Sequence, residues 1–229
     1  MNSPFHIAVF ARAPVPGLTK TRLISLLGEE GAAAAQRAMT LRTLATASTA
    51  APGQVSLWTA GESAHPFFET CSRRFDAPRY PQCDGHLGVR MADCLRDNLK
   101  RHRSVLLIGT DCPVRSVADL RMAAQALQDG AQMVFTPAED GGYVLVGAQE
   151  HGGDLTAGIE QAFAGIAWST AQVMAQTRAR LDAIDWQAGR EWRELPTLWD
   201  VDTPADYLRA QQANLLDLYA AGCNPTGRD

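Results

Sequence analysis

The sequence predicts an α/β fold in which helices flank a mostly parallel central sheet. Short apolar runs rich in β-branched residues alternate along the chain with longer helical patterns, as in βαβ units. The run at residues 104–109, Ser-Val-Leu-Leu-Ile-Gly, is continuously apolar at its centre, which favours a strand buried on both faces of a parallel sheet. At 229 residues, the chain is predicted to form a single domain with its core over about residues 5–220.

The elements of the first half follow from the positions of the apolar runs and the helix breakers. An apolar run near the N-terminus predicts a first strand, which is followed by Arg12 and two prolines. The segment before residue 50 is rich in alanine and poor in breakers, so it predicts helix. The predicted elements are, in order, a strand over residues 6–10, a short helix over 18–28, a long helix over 29–50, a strand over 55–59, a helix over 87–100 and a strand over 104–109.

Three helices of the second half are predicted from capping signals. In each, a Ser or Thr precedes an Asp or Gln by three positions, and Pro204 also suits the first turn of the last helix. The helices are predicted to run from the box at Ser116 to Gly130, from the box at Ser169 to about residue 180, and from the box at Thr203 to about residue 219. Between the first two helices, strands are predicted over residues 133–136 and 143–147.

Composition and charge exclude several classes of function. The sequence has 21 Lys and Arg against 25 Asp and Glu, a net charge of −4, and no polybasic block, so we expect neither a nucleic acid nor an anionic membrane as partner. No apolar stretch approaches the about 18–20 residues of a membrane span, and the N-terminus lacks a signal-peptide pattern. The five cysteines are scattered and odd in number, which argues against a disulfide framework. We therefore expect a reduced, cytoplasmic protein.

A loop rich in cations follows the first predicted strand. Ligands of α/β sheets bind at the carboxyl ends of the strands. Here Arg12, Lys20 and Arg22 fall within eleven residues, on a segment that also contains Pro14 and Gly17. Free backbone N–H groups, a helix start and three cations suit a diphosphate or a triphosphate. The spacing fits neither a P-loop nor a dinucleotide-binding fingerprint, and a solvated basic loop is an equal alternative.

Aspartates near two other predicted elements suggest a metal site. Asp111 directly follows a buried strand, a costly position for a carboxylate unless it is solvated, hydrogen-bonded or paired with a cation. Asp200 and Asp202 precede the last helix and repel each other, which favours a nearby cation. Asp111 and Asp202 would together supply two carboxylates to a magnesium ion, which takes its other ligands from substrate phosphates and water. The alternative role for Asp111 is to cap a turn.

The segment between the last two predicted strands allows two compatible interpretations. It contains Glu139, Asp140, Gly141 and Gly142, and Asp-Gly is typical of a hairpin turn. The two glycines would also let the backbone approach a ligand closely.

Taken together and in order, six blocks resemble a bacterial family of small glycosyltransferases with the GT-A fold, often called the radical-SAM-associated or arsenosugar-biosynthesis type. They span about residues 5–210. The family pattern usually has Lys at the position of Arg12 and Ser at the position of Thr110, and both changes keep the charge or the hydroxyl. The matching blocks lie at residues 10–23, 87–91, 109–113, 140–143, 165–170 and 200–204.

The resemblance implies a nucleotide-diphospho-sugar transferase fold with the nucleotide over the first strand and its loop. It makes Asp111 the counterpart of the metal-binding acid that GT-A enzymes carry after the central strand. The block around Asp202 also resembles the C-terminal acid of cytidylyltransferases that form sugar nucleotides, where that acid joins the metal site. The block at residues 20–23 also resembles phospholactate guanylyltransferases, which transfer a nucleotide instead of a sugar.

The leading hypothesis is glycosyl transfer from a nucleotide sugar to a small-molecule acceptor, with Mg²⁺ or Mn²⁺ on Asp111 and Asp202. Asp111 is expected to be catalytic through this ion, and Glu139 or Asp140 to orient the acceptor or act as base. The residues expected to contact the nucleotide and its phosphates are Arg12, Pro14, Gly17, Lys20, Arg22, Arg90, Gly141 and Gly142. Nucleotidyl transfer from a nucleoside triphosphate to a phosphorylated small molecule is the alternative, and a nucleotide sensor without turnover is a third hypothesis.

Overall fold

The structure, a computed structural model that describes residues 5–150 and 155–216, has the predicted α/β architecture. Seven strands in this part of the chain form one sheet in the order β3-β2-β1-β4-β6-β5-β7. Strand β6 is antiparallel to both of its neighbours, and the other four pairs of adjacent strands are parallel.

The strands are β1 (His6–Arg12), β2 (Val55–Ala60), β3 (Arg79–Pro81), β4 (Ser104–Gly109), β5 (Met133–Pro137), β6 (Tyr143–Gln149) and β7 (Trp192–Glu194). The helices are α1 (Ile24–Ala50), α2 (Pro66–Phe75), α3 (Leu87–Leu99), α4 (Val117–Gln128), α5 (Leu155–Phe163), α6 (Val173–Asp182) and α7 (Pro204–Gln212).

The central strand β4 is continuously apolar because its two faces belong to two different cores. Leu106 and Ile108 pack in a cluster with residues of α1, α2 and α4. Val105 and Leu107 pack in a second cluster with residues of α3, α5 and α6. Both faces of the sheet are therefore covered, as the unbroken apolar run predicts.

The helical segment after β1 is interrupted where the sequence predicts a boundary between two helices. Gly28 has φ 70° and ψ 173°, and the residues after it continue as the long helix to Ala50. The part before it is shorter than predicted: residues 18–20 are loop, a 3-10 turn covers Thr21–Leu23, and helix begins at Ile24. Lys20 itself has the left-handed values φ 45° and ψ 45°.

Two capping predictions are confirmed and one is wrong. Ser116 and Thr203 each form the complete predicted capping box. The box predicted at Ser169 does not form, because Ser169 has φ 64° and α6 starts only at Val173. The hydroxyl of Thr170 makes the local bonds instead, donating to the carbonyl of Ala167 over 2.7 Å and accepting from the N–H of Gln172 over 3.3 Å.

The last helix is shorter than predicted. It ends at Gln212, and Asn214 adopts a left-handed φ of 54° just beyond it. Residues 217–219 of the predicted helix lie outside the described residues.

Four short elements were not predicted from the sequence: α2, β3, α5 and β7. Strands β3 and β7 lie at the two edges of the sheet. Each has three residues, and a strand of that length is too short to show a periodic pattern. Among the described residues, no helix combines the length and apolarity that crossing a membrane requires.

Candidate functional site

The carboxyl ends of β1 and β4 open into a cleft of about 770 Å³. Its walls come from the loop after β1, the loop after β4, the turn between β5 and β6, and the segment before α7. Charged residues from all four segments line it, namely Arg12, Lys20, Arg22, Asp111, Asp140, Asp200 and Asp202.

Lys20 connects the two distant acids. Its Nζ atom lies 3.2 Å from Oδ2 of Asp111 and donates to Oδ1 of Asp202 over 2.8 Å and to the carbonyl of Val201 over 2.7 Å. The Lys20 side chain is only 7% exposed. Burial by itself would lower the pKa of Lys20, but the charges of Asp111 and Asp202 outweigh it and raise the pKa. Lys20 is therefore a buried ammonium that two carboxylates keep charged.

Asp111 and Asp202 are brought together by their backbones as well. The N–H of Val201 donates to the carbonyl of Asp111 over 2.8 Å and so joins the two loops. Both carboxylates remain partly open to the cleft, with side-chain exposures of 45% and 41%. Each also keeps an oxygen that Lys20 does not use: Oδ1 of Asp111 accepts weakly from Thr110 over 3.3 Å, and Oδ2 of Asp202 lies 3.7 Å from exposed Arg22.

Asp200 is a carboxyl group whose pKa is shifted upwards. Burial, the largest cause, and the nearby carboxylates of Asp140, Asp202 and Asp111 together raise its pKa to about 6. This end of the cleft therefore gathers four acids, an arrangement that a bound cation would stabilise.

The donor set fits a divalent ion that arrives with its substrate. Among residues 5–150 and 155–216, no group of three or more His, Cys, Asp or Glu side chains has the arrangement of a metal cage. Mg²⁺ needs no such cage, because it is commonly held by one or two carboxylates together with substrate phosphates and water. Asp111 and Asp202 could provide those two carboxylates, since both are partly open to the cleft.

A row of buried polar residues on α1 supports the Asp111 loop. Gln36 donates from Nε2 to Oγ1 of Thr110 over 3.1 Å, and Thr43 to the carbonyl of Thr110 over 3.5 Å. Gln36, Thr40 and Thr43 are each less than 5% exposed. These residues were not predicted from the sequence, although polar residues at spacings of four and three in an otherwise Ala-rich helix mark one helical face.

Arg115 is a further supporting residue that was not predicted from the sequence. Its guanidinium donates to the carbonyls of Gly109 and Val144 over 2.6 and 2.8 Å. Burial lowers its pKa, while the nearby thiol of Cys112 and carboxylate of Asp111 act in the opposite direction. No local sequence signal distinguishes this arginine from an exposed one.

The other predicted cations also border the cleft. Arg12 is exposed at its edge, and the Arg22 side chain is 74% exposed. Arg90, on α3, lines the cleft and donates from Nη1 to Oε1 of Gln82 over 3.0 Å. Pro14 and Gly17 are not among the lining residues. Gly17 instead faces Glu29, whose carboxylate lies 3.4 Å from the position that a Gly17 Cβ would take.

The predicted Asp-Gly turn joins the antiparallel strands β5 and β6. Asp140 Oδ1 accepts from the N–H of Gly142 over 2.9 Å, and both residues line the cleft. Gly141 has φ 89° and lies against the backbone of Ala171, and it is not among the lining residues.

Glu139 lies outside the set of residues that line the cleft. Both of its carboxylate oxygens accept from the guanidinium of Arg209, over 2.7 and 3.2 Å. These hydrogen bonds lower the pKa of Glu139. Arg209 in turn stacks over the ring of Trp199.

Trp168 forms an aromatic wall of the cleft that the sequence analysis did not single out. Its indole packs directly on Gly88, at the start of α3, and edge-on to Tyr143 with ring centroids 6.4 Å apart. Three other tryptophans, Trp186, Trp192 and Trp199, are buried or partly buried in the apolar clusters.

A protein-family model matches residues 43–170 of the chain, more than half of its length. The family is described as an uncharacterized protein conserved in bacteria (DUF2064). No curated protein matches the chain.

Solved structures with the same fold cover nearly the whole chain. A proposed nucleotide-diphospho-sugar transferase from Desulfovibrio desulfuricans G20 is 23% identical, with 95% of this chain and 98% of that chain covered and a TM-score of 0.73. A 4-diphosphocytidyl-2C-methyl-D-erythritol synthase from Anaerococcus prevotii DSM 20548 is 11% identical, with coverages of 92% and 96% and a TM-score of 0.60.

A third similar structure is glucosyl-3-phosphoglycerate synthase from Mycobacterium tuberculosis, in complex with Mn²⁺, UDP and glucosyl-3-phosphoglycerate. It is 12% identical, with coverages of 95% and 80% and a TM-score of 0.51. At these identities the likeness establishes the fold, which is that of nucleotide-diphospho-sugar transferases. With the match to the family model, the chain belongs to the bacterial family DUF2064.

Proposed function

We propose that the protein is a metal-dependent glycosyltransferase that moves a sugar from a nucleotide-diphospho-sugar to a small-molecule acceptor. The observation that carries the proposal is the meeting of Asp111 and Asp202 at the Lys20 ammonium, beside Arg12 and Arg22, at the carboxyl ends of the central strands. Acids and cations in one cleft suit a metal-bridged diphosphate, because the metal needs carboxylates and the phosphates need positive partners.

Each group has a specific task in this proposal. Arg12 and Arg22, which are exposed at the cleft, bind the oxygens of the donor diphosphate, and Arg90 contacts the nucleotide from α3. Asp111 and Asp202 hold Mg²⁺ or Mn²⁺. When bound, the ion supplies positive charge that stabilises the leaving diphosphate.

The acceptor binds on the side of the cleft that Asp140 borders. Asp140 is the better of the two predicted acid–base residues, since it lines the cleft whereas Glu139 is occupied by Arg209. Its carboxylate would take the proton of the acceptor hydroxyl as that oxygen attacks the sugar. The narrower assignment to the radical-SAM-associated or arsenosugar type belongs to this proposal as well.

Nucleotidyl transfer is the alternative. The same cations and acids would serve attack on the α-phosphate of a nucleoside triphosphate, with pyrophosphate leaving. The observation in its favour is that the fold is more similar to the 4-diphosphocytidyl-2C-methyl-D-erythritol synthase, with a TM-score of 0.60, than to the UDP-bound glucosyl-3-phosphoglycerate synthase, with 0.51.

A product assay separates the two reactions. The protein is incubated with Mg²⁺, a nucleotide-free fraction of dialysable cell metabolites as acceptors, and either nucleotide sugars or nucleoside triphosphates. Glycosyl transfer predicts release of nucleoside diphosphate from a nucleotide sugar, whereas pyrophosphate from a triphosphate would establish the alternative. If neither product forms with either class of donor, both reactions are contradicted. The assay is repeated with Asp111→Asn. Asp97→Asn is the matched control, because Asp97 pairs with Lys100 and Arg101 on the surface of α3.

A further inference from the structure

The chain has two lysines, and they lie in opposite environments. Lys100 is 73% exposed and lies 3.5 Å from Asp97. Lys20 is 7% exposed and contacts three oxygens, one each from Asp111, Asp202 and Val201. A lysine ammonium has three donors, so Lys20 has no donor left for a phosphate in this arrangement.

The Lys20 ammonium also lies where a cation shared by the two carboxylates would bind. Oδ2 of Asp111 and Oδ1 of Asp202 both point at Nζ, within 3.2 Å. A divalent ion that draws the two acids together would compete with the ammonium for these oxygens. This competition weakens the binding of the ion on its own.

We propose that Lys20 is the resident counter-ion of the acid pair, so that a divalent ion binds weakly alone and tightly only together with a phosphate-bearing ligand. A phosphate offers the ammonium another anionic partner and frees the carboxylates for the ion. Metal and nucleotide then strengthen each other's binding, and the coupling is reciprocal. The inference rests on the proposed function for the nature of the anion and adds the coupling between the binding of the cation and that of the nucleotide.

The surroundings of Lys20 favour this role over that of a passive structural ion pair. Asp140 and Asp200 line the same cleft as the acid pair and add two more carboxylates to it. Removing the ammonium would leave four neighbouring acids with exposed Arg22 as the nearest ion-pair partner of Asp202. Such a site should gain affinity for a free divalent ion when Lys20 is lost. A lysine that only binds phosphate would have no such effect.

The test is the affinity for Mn²⁺ alone, measured by electron paramagnetic resonance without any nucleotide. Lys20→Met is expected to bind Mn²⁺ at least tenfold more tightly than the wild type, and Lys20→Met/Asp202→Asn is expected to lose that gain. Lys100→Met, which removes the exposed lysine, should match the wild type. Equal or weaker binding by Lys20→Met would overturn the inference.

A second measurement uses the wild type and does not depend on the folding of a variant. Acetylation by an N-hydroxysuccinimide ester is followed by peptide mass spectrometry, with Lys100 as the internal reference. Raising the Mn²⁺ concentration should increase the rate at Lys20 at least fivefold, with the same half-saturation as Mn²⁺ binding. Bound Mn²⁺ with an unchanged Lys20 rate would overturn the inference. Neither measurement involves turnover, so the result is separate from that of the product assay.

Discussion

The guanidinium of Arg115 donates to the carbonyl of Gly109 over 2.6 Å, at the point where the central strand β4 ends. Its Nη1 atom donates to the carbonyl of Val144 on β6, over 2.8 Å. The ladder between these two strands stops at the pair Ile108–Leu145. Arg115 therefore extends the pairing of β4 and β6 by one step with its side chain and fixes the start of the loop that carries Asp111.

Replacing Arg115 is expected to destabilise the protein strongly. Arg115→Met removes two part-buried hydrogen bonds from a charged donor, so we expect the free energy of unfolding to fall by about 2–4 kcal/mol. Arg115→Lys keeps the charge but reaches fewer acceptors, and should recover part of the loss. Urea unfolding measures both. Arg121→Met, on the exposed side of the helix α4 that follows, is the control. An Arg115→Met variant as stable as this control would show that the two hydrogen bonds of Arg115 are not needed for stability.

The contact between Gly88 and Trp168 predicts a steric test of the cleft wall. A Cβ at Gly88 would meet the indole Cε2 and Nε1 atoms at 2.7 and 2.8 Å. Gly88→Ala should therefore displace Trp168, change the tryptophan fluorescence and cost about 1–3 kcal/mol of unfolding free energy. The neighbouring exposed Val89 provides the comparison, since Val89→Ala should leave the spectrum unchanged. An unchanged spectrum for Gly88→Ala would argue against this packing.

Glu139 and Asp140 are adjacent but should respond differently to substitution. Asp140→Asn should lower kcat/KM at least about tenfold, since a positioned general base commonly contributes 10²-fold or more. Glu139→Gln should leave kcat/KM unchanged, because its carboxylate faces Arg209 outside the cleft. Steady-state kinetics with the donor found in the product assay measures both. A large loss of kcat/KM for Glu139→Gln with none for Asp140→Asn would show that Asp140 is the wrong assignment for the acid–base residue.

His6 makes stability depend on pH. Burial lowers its pKa from 6.5 to about 3, with the nearby charges of His102 and Arg101 acting in the same direction. The unfolded chain therefore binds a proton that the folded protein does not between these pH values. This contribution to stability is complete above pH 6.5 and is lost as the pH falls towards 3.

Between pH 8 and pH 5, the unfolding free energy should fall by about 2 kcal/mol more in the wild type than in His6→Asn. Urea titrations at the two pH values measure the difference. The Asn variant can be less stable at both, since His6 Nε2 lies 2.8 Å from Oγ of Ser56, and only the change with pH is compared. Equal decreases in the unfolding free energy of the two proteins between pH 8 and pH 5 would show that the pKa of His6 is not lowered by folding.

The parts of the fold that the sequence predicted are those whose signal is local. The run at β4 and the capping boxes at Ser116 and Thr203 each carry their signal within a few residues. The same pattern at Ser169 was misleading because the hydroxyl of Thr170, one position later, makes the turn instead. Strands β3 and β7 exist only because neighbouring strands pair with them, so no period marks them.

The candidate site also combines features that could be predicted from the sequence with features that could not. Lys20, Asp111 and Asp202 could be predicted because each follows a strand or precedes a helix at the carboxyl edge of the sheet. Their actual geometry, with the ammonium between the two acids, could not be predicted, because it depends on a bond between loops 181 positions apart. Arg115 and Trp168 depend on the tertiary register of β6 and α3, about which their own neighbours in the sequence carry no information.

The most direct test of the central claim is a thermal-shift comparison of the wild type with Asp111→Asn/Asp202→Asn, using nucleoside diphosphates, triphosphates and nucleotide sugars, each with and without Mg²⁺. A ligand that binds only the folded state raises the melting temperature. We predict a rise of several degrees that needs a nucleotide and Mg²⁺ together and is absent from the double variant. The rise is compared with each protein's own ligand-free value. A rise in melting temperature that does not depend on Mg²⁺, or that is also seen in the double variant, would contradict a metal-bridged diphosphate site at Asp111 and Asp202.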